Sequence, residues 1–283
     1  MILVTGATGS VGREVVSQLG KLGSPVRAVT RHPGAAMLPD GVETVPGDLA
    51  DPASIAPHVR DADAVFLVWP FTSAELTAKL APQVVEVLAA APRRIVYLSA
   101  QPAADDPGSF WAIVEQSIRR SGADWTFLRP SGFAKNTLIW APQIKSGDVV
   151  RWPYGQAARS LIHEADIAAV ATAALTQDGH DQKIYMPTGP GVVTQAEQVQ
   201  IIGAVLHRSL RWEEMSSDEA RADLTEMFGD ADFAAHALSA WADFIDQPED
   251  VTSTVRQITG HQARPFGQWV ADHADDFRRL PTT

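Results

Sequence analysis

The sequence predicts an α/β fold built on a doubly wound parallel sheet, with a smaller, mostly helical C-terminal lobe. Three observations predict it. Short, fully apolar runs alternate with helical segments through the first half, the pattern of strands covered on both faces. A glycine-rich loop beginning at residue 6 separates the first such run from an amphipathic segment. The chain has 283 residues, 45% hydrophobic and 20% charged, enough for a large core with an added lobe. Right-handed crossovers between such strands give a Rossmann-type sheet.

The elements follow in order. Residues 2–5 read as a buried strand, and residues 13–22 continue at helical period. Residues 26–30 and 42–45 are the second and third strands. Asp51-Pro52 then marks a helix start, with Asp as cap and Pro in the first turn. Residues 64–68 form a fourth strand, and 73–91 a long helix in which Pro82 suggests a kink. Residues 94–98, 109–120 and 125–128 complete the half as strand, helix and strand. After about residue 133 the rhythm loosens. Residues 149–154, 160–163, 183–186 and 210–213 are short strand candidates, 164–175 is a helix, and the rest from 194 is mostly helical. The division expected is 1–133 for a dinucleotide-binding domain and 134–283 for a substrate-binding lobe intertwined with it.

Composition excludes several classes. With 23 Lys+Arg against 34 Asp+Glu the formal charge is −11, which opposes binding to nucleic acid or an anionic membrane. There is no cysteine, so disulfides, thiolate metal sites and cysteine nucleophiles are ruled out. The eight histidines show no paired metal-ligand spacing, and no metal is expected. The opening residues carry no basic and apolar leader pattern, and no apolar run reaches membrane-spanning length. A cytoplasmic monomer or homodimer is the expectation.

Gly6-Ala7-Thr8-Gly9-Ser10-Val11-Gly12 is the strongest signal. Gly6 permits a tight turn, Gly9 lets a phosphate approach the backbone, and Gly12 lets helix and strand pack closely. The free amides and helix dipole then hold a diphosphate. Thr8, Ser10 and Val11 belong to the same cradle. The second strand ends in Thr30-Arg31-His32, where an NAD site usually offers an acid to the ribose hydroxyl. Arg31 suits a 2′-phosphate instead, because a guanidinium pairs with it in bidentate fashion. NADP(H) is therefore favoured over NAD(H). In Gly47-Asp48-Leu49, Asp48 either accepts from the adenine amino group, with Leu49 packing on the ring, or is a turn aspartate.

These residues, with Gly47-Asp48-Leu49-x-Asp51-Pro52-x-Ser54, Leu98-Ser99, Ser121 to Pro130, Phe133-x-x-Asn136, Asp166-Ile167-Ala168 and Thr188-Gly189-Pro190, resemble the NmrA-like group of atypical short-chain dehydrogenase/reductases. The resemblance covers most of the chain. It implies a Rossmann domain binding NADP(H), with a substrate cleft between that domain and the C-terminal lobe. It also implies that Val68, Trp69 and Pro70, and Ser99 and Ala100, border the ribose and nicotinamide, with Pro130 and Phe133 near nicotinamide and substrate.

One departure matters most. Many relatives place Tyr-x-x-x-Lys on the helix after the fifth strand, where lysine lowers the tyrosine pKa and tyrosine protonates the substrate. Here that helix reads Ser109-Phe110-Trp111-Ala112-Ile113-Val114-Glu115-Gln116. Either the chain binds dinucleotide without chemistry, as a redox-sensing regulator, or it sends hydride to an acceptor needing no positioned tyrosine. A quinone or other conjugated aromatic ketone fits the second, because its reduced form is a stabilised anion that water can protonate. A sugar-nucleotide epimerase is argued against by the missing pair. Eight tryptophans fit a small aromatic substrate, with Phe71, Trp111, Phe133 and Trp152 as the expected contacts, and Phe110, Trp140 and Tyr154 in the same segments. His163, Lys135 and Tyr154 are the remaining candidates for proton transfer. The expected function is NADPH-dependent reduction of such an acceptor.

Overall fold

A computed structural model describes residues 1–91 and 94–278. The elements run β1 (Ile2–Val4), α1 (Ser10–Lys21), β2 (Val26–Thr30), β3 (Glu43–Pro46), α2 (Pro52–Val59), β4 (Ala64–Val68), α3 (Ala74–Leu88), β5 (Arg94–Leu98), α4 (Phe110–Arg120) and β6 (Asp124–Leu128). They continue with α5 (Ala141–Ser146), β7 (Val149–Trp152), β8 (Ala158–Arg159), α6 (Glu164–Thr176), β9 (Lys183–Tyr185), β10 (Val193–Thr194) and α7 (Gln195–Leu206). Last come β11 (Arg211–Glu214), α8 (Ser217–Phe228), α9 (Ala231–Asp246), α10 (Thr254–Thr259), α11 (Phe266–Asp272) and α12 (Ala274–Phe277).

The chain divides into two compact units. The first comprises Met1–Pro130, Glu164–Pro187 and Thr254–His261; the second comprises Ser131–His163, Thr188–Ser253 and Gln262–Thr283. The chain passes between these units several times.

The first unit is the doubly wound sheet. Its strands lie in the order β3-β2-β1-β4-β5-β6-β9, and every pair is parallel. The order reverses beside β1, the switch point at which open α/β sheets bind ligands beyond the strands' carboxyl ends. Leu3, Val65, Ile95, Tyr97 and Phe127 form the centre of the core. Apolar side chains on both faces leave these strands no stable place but the interior. Arg27 is the exception. It lies in β2 yet is almost buried, because it pairs with Glu43 at 2.8 Å and with Asp61 and also donates to the His58 carbonyl at 2.8 Å. Those carboxylates hold the guanidinium well above its ordinary pKa. The pairs tie β2 to β3 and to the end of α2.

Local chemistry sets the helix starts. Ser73 accepts from the Leu76 amide at 3.2 Å to open α3, and Ser109 accepts from the Ala112 amide at 3.3 Å to open α4. Thr194 with Glu197, and Ser216 with Glu219, form capping boxes on α7 and α8. Pro82 stands inside α3 without ending it.

Two expectations change. The strand expected at 183–186 belongs to the main sheet, as β9 beside β6, rather than to the C-terminal lobe. The cause is α6, which is buried along almost its whole length and so serves as the crossover that returns the chain to the sheet edge. Residues 160–163 do not form a strand. The short strand is β8, and Ile162 makes a lone bridge to Phe133.

The second unit pairs β7 with β11 in parallel and β8 with β10 antiparallel. Trp140, Trp152, Trp269 and Phe277 dominate its core. Glu249 is buried and accepts from the amides of Gly132 and Ser160, each at 3.1 Å, and from Arg159 at 2.9 Å. No helix of the described residues is long and apolar enough to cross a membrane. Ile95 is fully buried at the middle of the sheet, so Ile95→Ala is expected to lower unfolding stability by about 2–5 kcal/mol, measured by denaturant titration.

Candidate functional site

The site grows from the turn after β1. Gly6 has φ 61°, a conformation open to glycine, and a Cβ there would lie 2.8 Å from that of Val68. The Gly9 amide donates back to the Gly6 carbonyl at 2.9 Å, and α1 starts at the next residue. A Cβ on Gly12 would lie 2.1 Å from the Gly6 oxygen, so only hydrogen allows the helix to seat against the turn. Thr5 joins the ends of β1 and β4, its hydroxyl accepting from the Val68 amide at 2.8 Å.

Gly9 caps α1 without a side-chain bond, and the first turn carries no acid. The amides of Ser10, Val11 and Gly12 are therefore left without a side-chain acceptor. Together with the helix dipole they favour an anion. The cradle fits a dinucleotide diphosphate, and a side chain at Gly12 would push the helix start off the turn that forms it.

A cavity of about 320 Å³ opens at this carboxyl edge of the sheet. Of the sequence-named residues, Gly6, Thr8, Arg31, Asp48, Leu49, Val68, Pro70 and Phe71 line it. Thr5, Val29, Thr30 and Gly47 line it as well and were not singled out. Phe71, expected on the substrate side, thus stands with the cofactor residues. Arg31 is exposed and makes no ion pair among the described residues. Asp48 is held in a turn. One carboxylate oxygen accepts from the Ala50 amide at 2.9 Å, and its own amide donates to Ser54 at 2.9 Å.

Trp69 does not line the cavity. Its indole turns into the core, donates to Thr77 at 3.0 Å and meets Phe71 edge-on at 5.2 Å. Its apolar ring gains more from burial than from a mouth in water. Val11 is likewise a core residue whose side chain packs inward.

At the ends of β5 and β6 a second polar group assembles. Glu115, on α4, is buried and accepts from Ser99 at 2.6 Å. Arg129 closes on the same carboxylate with two bonds, at 2.9 and 2.6 Å. Glu115 raises the pKa of Arg129, which stays charged. The nearby Tyr97 hydroxyl is buried without a partner among the described residues, and burial, then Glu115, push its pKa up, so this phenol stays protonated. Sequence reasoning placed Ser99 at the site but missed the clamp. A lone glutamate among Val114 and Ile118 on a buried helix face was the available signal.

The other named residues lie apart. Ala100 caps a short 3-10 turn, Pro130 ends the first segment of the first unit, and the Trp111 ring lies 3.9 Å from that of Phe110 on the first turn of α4. Phe133, Lys135, Trp152, Tyr154 and His163 belong to the second unit. There Lys135 is exposed, the Tyr154 amide donates to Glu214 at 2.5 Å, and the His163 ring meets Asp272 at 3.2 Å. Among the described residues no group of three or more His, Asp or Glu is placed to hold a metal ion.

A family model described as NAD(P)H-binding matches residues 6–178. The chain belongs to this family. The motifs' resemblance to NmrA-like reductases agrees with it. A (4-alkanoyl-5-oxo-2,5-dihydrofuran-3-yl)methyl phosphate reductase of Streptomyces griseus is 40% identical over 98% of this chain and 99% of its own. An NAD(P)H azoreductase of Xenophilus azovorans is 31% identical over 98% and 99%. The chain thus stands among reductases by sequence. The solved NADPH-dependent quinone oxidoreductase of Escherichia coli shares the fold, with a TM-score of 0.80 at 23% identity over 97% of this chain and 100% of that one.

Two substitutions test this geometry. Gly12→Ala is expected to weaken NADPH binding by on the order of tenfold or more in calorimetry and to lower Tm, since backbone must move. Arg129→Ala strands a buried carboxylate and is expected to cost about 3–5 kcal/mol in denaturant unfolding.

Proposed function

We propose that the chain is an NADPH-dependent reductase that delivers hydride to a conjugated acceptor, a quinone or conjugated aromatic ketone, without a tyrosine acid. The observation that carries this reading is the Ser99–Glu115–Arg129 clamp. Where related enzymes hold a tyrosine and a lysine, α4 presents Trp111 and Glu115. The single proton of the Ser99 hydroxyl is committed to Glu115, and Glu115 is committed to Arg129. None of these groups is poised to release a proton. The reading therefore requires an acceptor whose own π system stabilises the added electron pair, to be protonated afterwards by water.

The cofactor side rests on this chain's own groups. The α1 amides hold the diphosphate, Arg31 pairs with a 2′-phosphate, and Leu49 and Asp48 take the adenine. Val68, Pro70, Ser99 and Ala100 stand at the strand ends toward the ribose and nicotinamide. NADPH, when bound, supplies a hydride equivalent there. The substrates that name the two relatives, a phosphate ester of an acyl-substituted unsaturated lactone and an azo compound, are both conjugated π systems. That supports the choice of acceptor class.

The test is to mix the purified protein with NADPH and a panel of quinones and conjugated ketones and to follow the reduced-nicotinamide absorbance. Oxidation with quinones is expected; tight NADPH binding with no oxidation by any acceptor would instead leave a redox-sensing regulator. With no side-chain acid in play, kcat is expected to stay flat between roughly pH 6 and 8. An inflection in that window would instead show a side-chain acid at work. Arg31→Ala is expected to weaken NADPH binding by roughly tenfold to a hundredfold and leave NADH within about twofold. Equal losses for both would remove the 2′-phosphate role.

A further inference from the structure

Residues 69–73 join β4 to α3, and both ends of this loop are fixed. At one end the Trp69 indole is buried and donates to Thr77 at 3.0 Å. At the other the Ser73 hydroxyl accepts from the Leu76 amide at 3.2 Å. Phe71 stands between them. Its ring packs against the core and meets the Trp69 ring edge-on at 5.2 Å, a favoured arrangement for an aromatic pair. Phe71 is nevertheless only half-buried, and it lines the cavity at the carboxyl edge of the sheet. Hydride transfer to a conjugated acceptor gives this ring no task.

The rest of that cavity indicates what would cover the ring. Val29 and Leu49, both buried, supply further apolar wall from the ends of β2 and β3. Arg31 and Asp48 add a cation and a carboxylate. Aromatic and aliphatic walls with a few charged groups suit a flat base that carries its polar atoms on the edge. Gly6 and Thr8 of the diphosphate turn line the same cavity, so a nucleotide anchored there brings its base within reach of these walls. Among the described residues the lining includes none from β5 or β6, the strands at whose ends the nicotinamide is placed.

We propose that Phe71 is the aromatic face on which the adenine of the dinucleotide stacks, with Leu49 completing the pocket for the base. This role rests on the NADPH-binding reading above. It divides recognition between two side chains: Arg31 answers to the 2′-phosphate, and Phe71 answers to the purine whether or not that phosphate is present. Stacking draws on the π-face and on buried area, and needs no hydrogen bond from the ring.

Calorimetry on the full chain tests it with NADPH, NADH and 2′,5′-ADP, which carries the adenine and no nicotinamide. Phe71→Ala is expected to weaken all three by a similar factor, on the order of tenfold, the scale of one base–aromatic stack. Phe71→Trp keeps a π-face and is expected to stay within about threefold of the wild type. Phe71→Leu keeps aliphatic bulk beside Trp69 without a π-face, and is expected to lose about threefold or more. Undiminished binding of 2′,5′-ADP to folded Phe71→Ala protein, a loss confined to NADPH, or wild-type affinity in Phe71→Leu would each overturn the proposal. Those outcomes leave the NADPH-binding reading standing. Failure of the wild-type chain to bind any of the three would overturn that reading and the stacking role with it.

Discussion

With only a hydrogen at position 12, the first turn of α1 comes within contact of the Gly6 carbonyl, and the position of the dinucleotide edge follows from that approach. Gly6 reverses the chain in a left-handed conformation and packs on Val68, so the ends of β1 and β4 are fixed together. Thr5 reinforces the same junction through the Val68 amide. The helix start is thus held at the switch point of the sheet with its amides uncapped by side chains. In the proposed reading a diphosphate is recognised by backbone alone, which leaves side chains such as Arg31 to decide what else the nucleotide carries.

The second constraint is electrostatic. A carboxylate as buried as that of Glu115 is tolerated only when its lone pairs are filled, and Ser99 and Arg129 fill them. The same arrangement that makes the charge acceptable makes it chemically inert. It ties α4 to the ends of β5 and β6 and removes the acid that a carbonyl reductase of the tyrosine type would use. Structure and reactivity are coupled here in one group of three side chains.

Much of the sheet was legible in the sequence because the central strands are mostly apolar runs, and a strand buried on both faces needs little else. The glycine loop was legible for the same local reason. β9 was not assigned to the sheet, since Lys183, Ile184 and Tyr185 are a short edge strand with two exposed residues and little pattern. Its place is set by α6, whose burial is a tertiary fact. Trp69 was misread because proximity to the loop does not say which way an indole turns. The clamp on Glu115 joins residues distant in sequence and is not visible to periodicity or spacing.

The late arrival of β9 has a bearing on how the molecule is made. β6 ends at Leu128, and its outer edge pairs with a strand that begins at Lys183. Between them the chain departs to build part of the second unit. During translation the ribosome must therefore release residues past Tyr185 before the sheet's last ladder can close. Until then the amides and carbonyls of β6 stand as an open template for wrong pairing. Residues 254–259, which as α10 pack against α6, arrive later still, so maturation of the first unit waits on nearly the whole polypeptide.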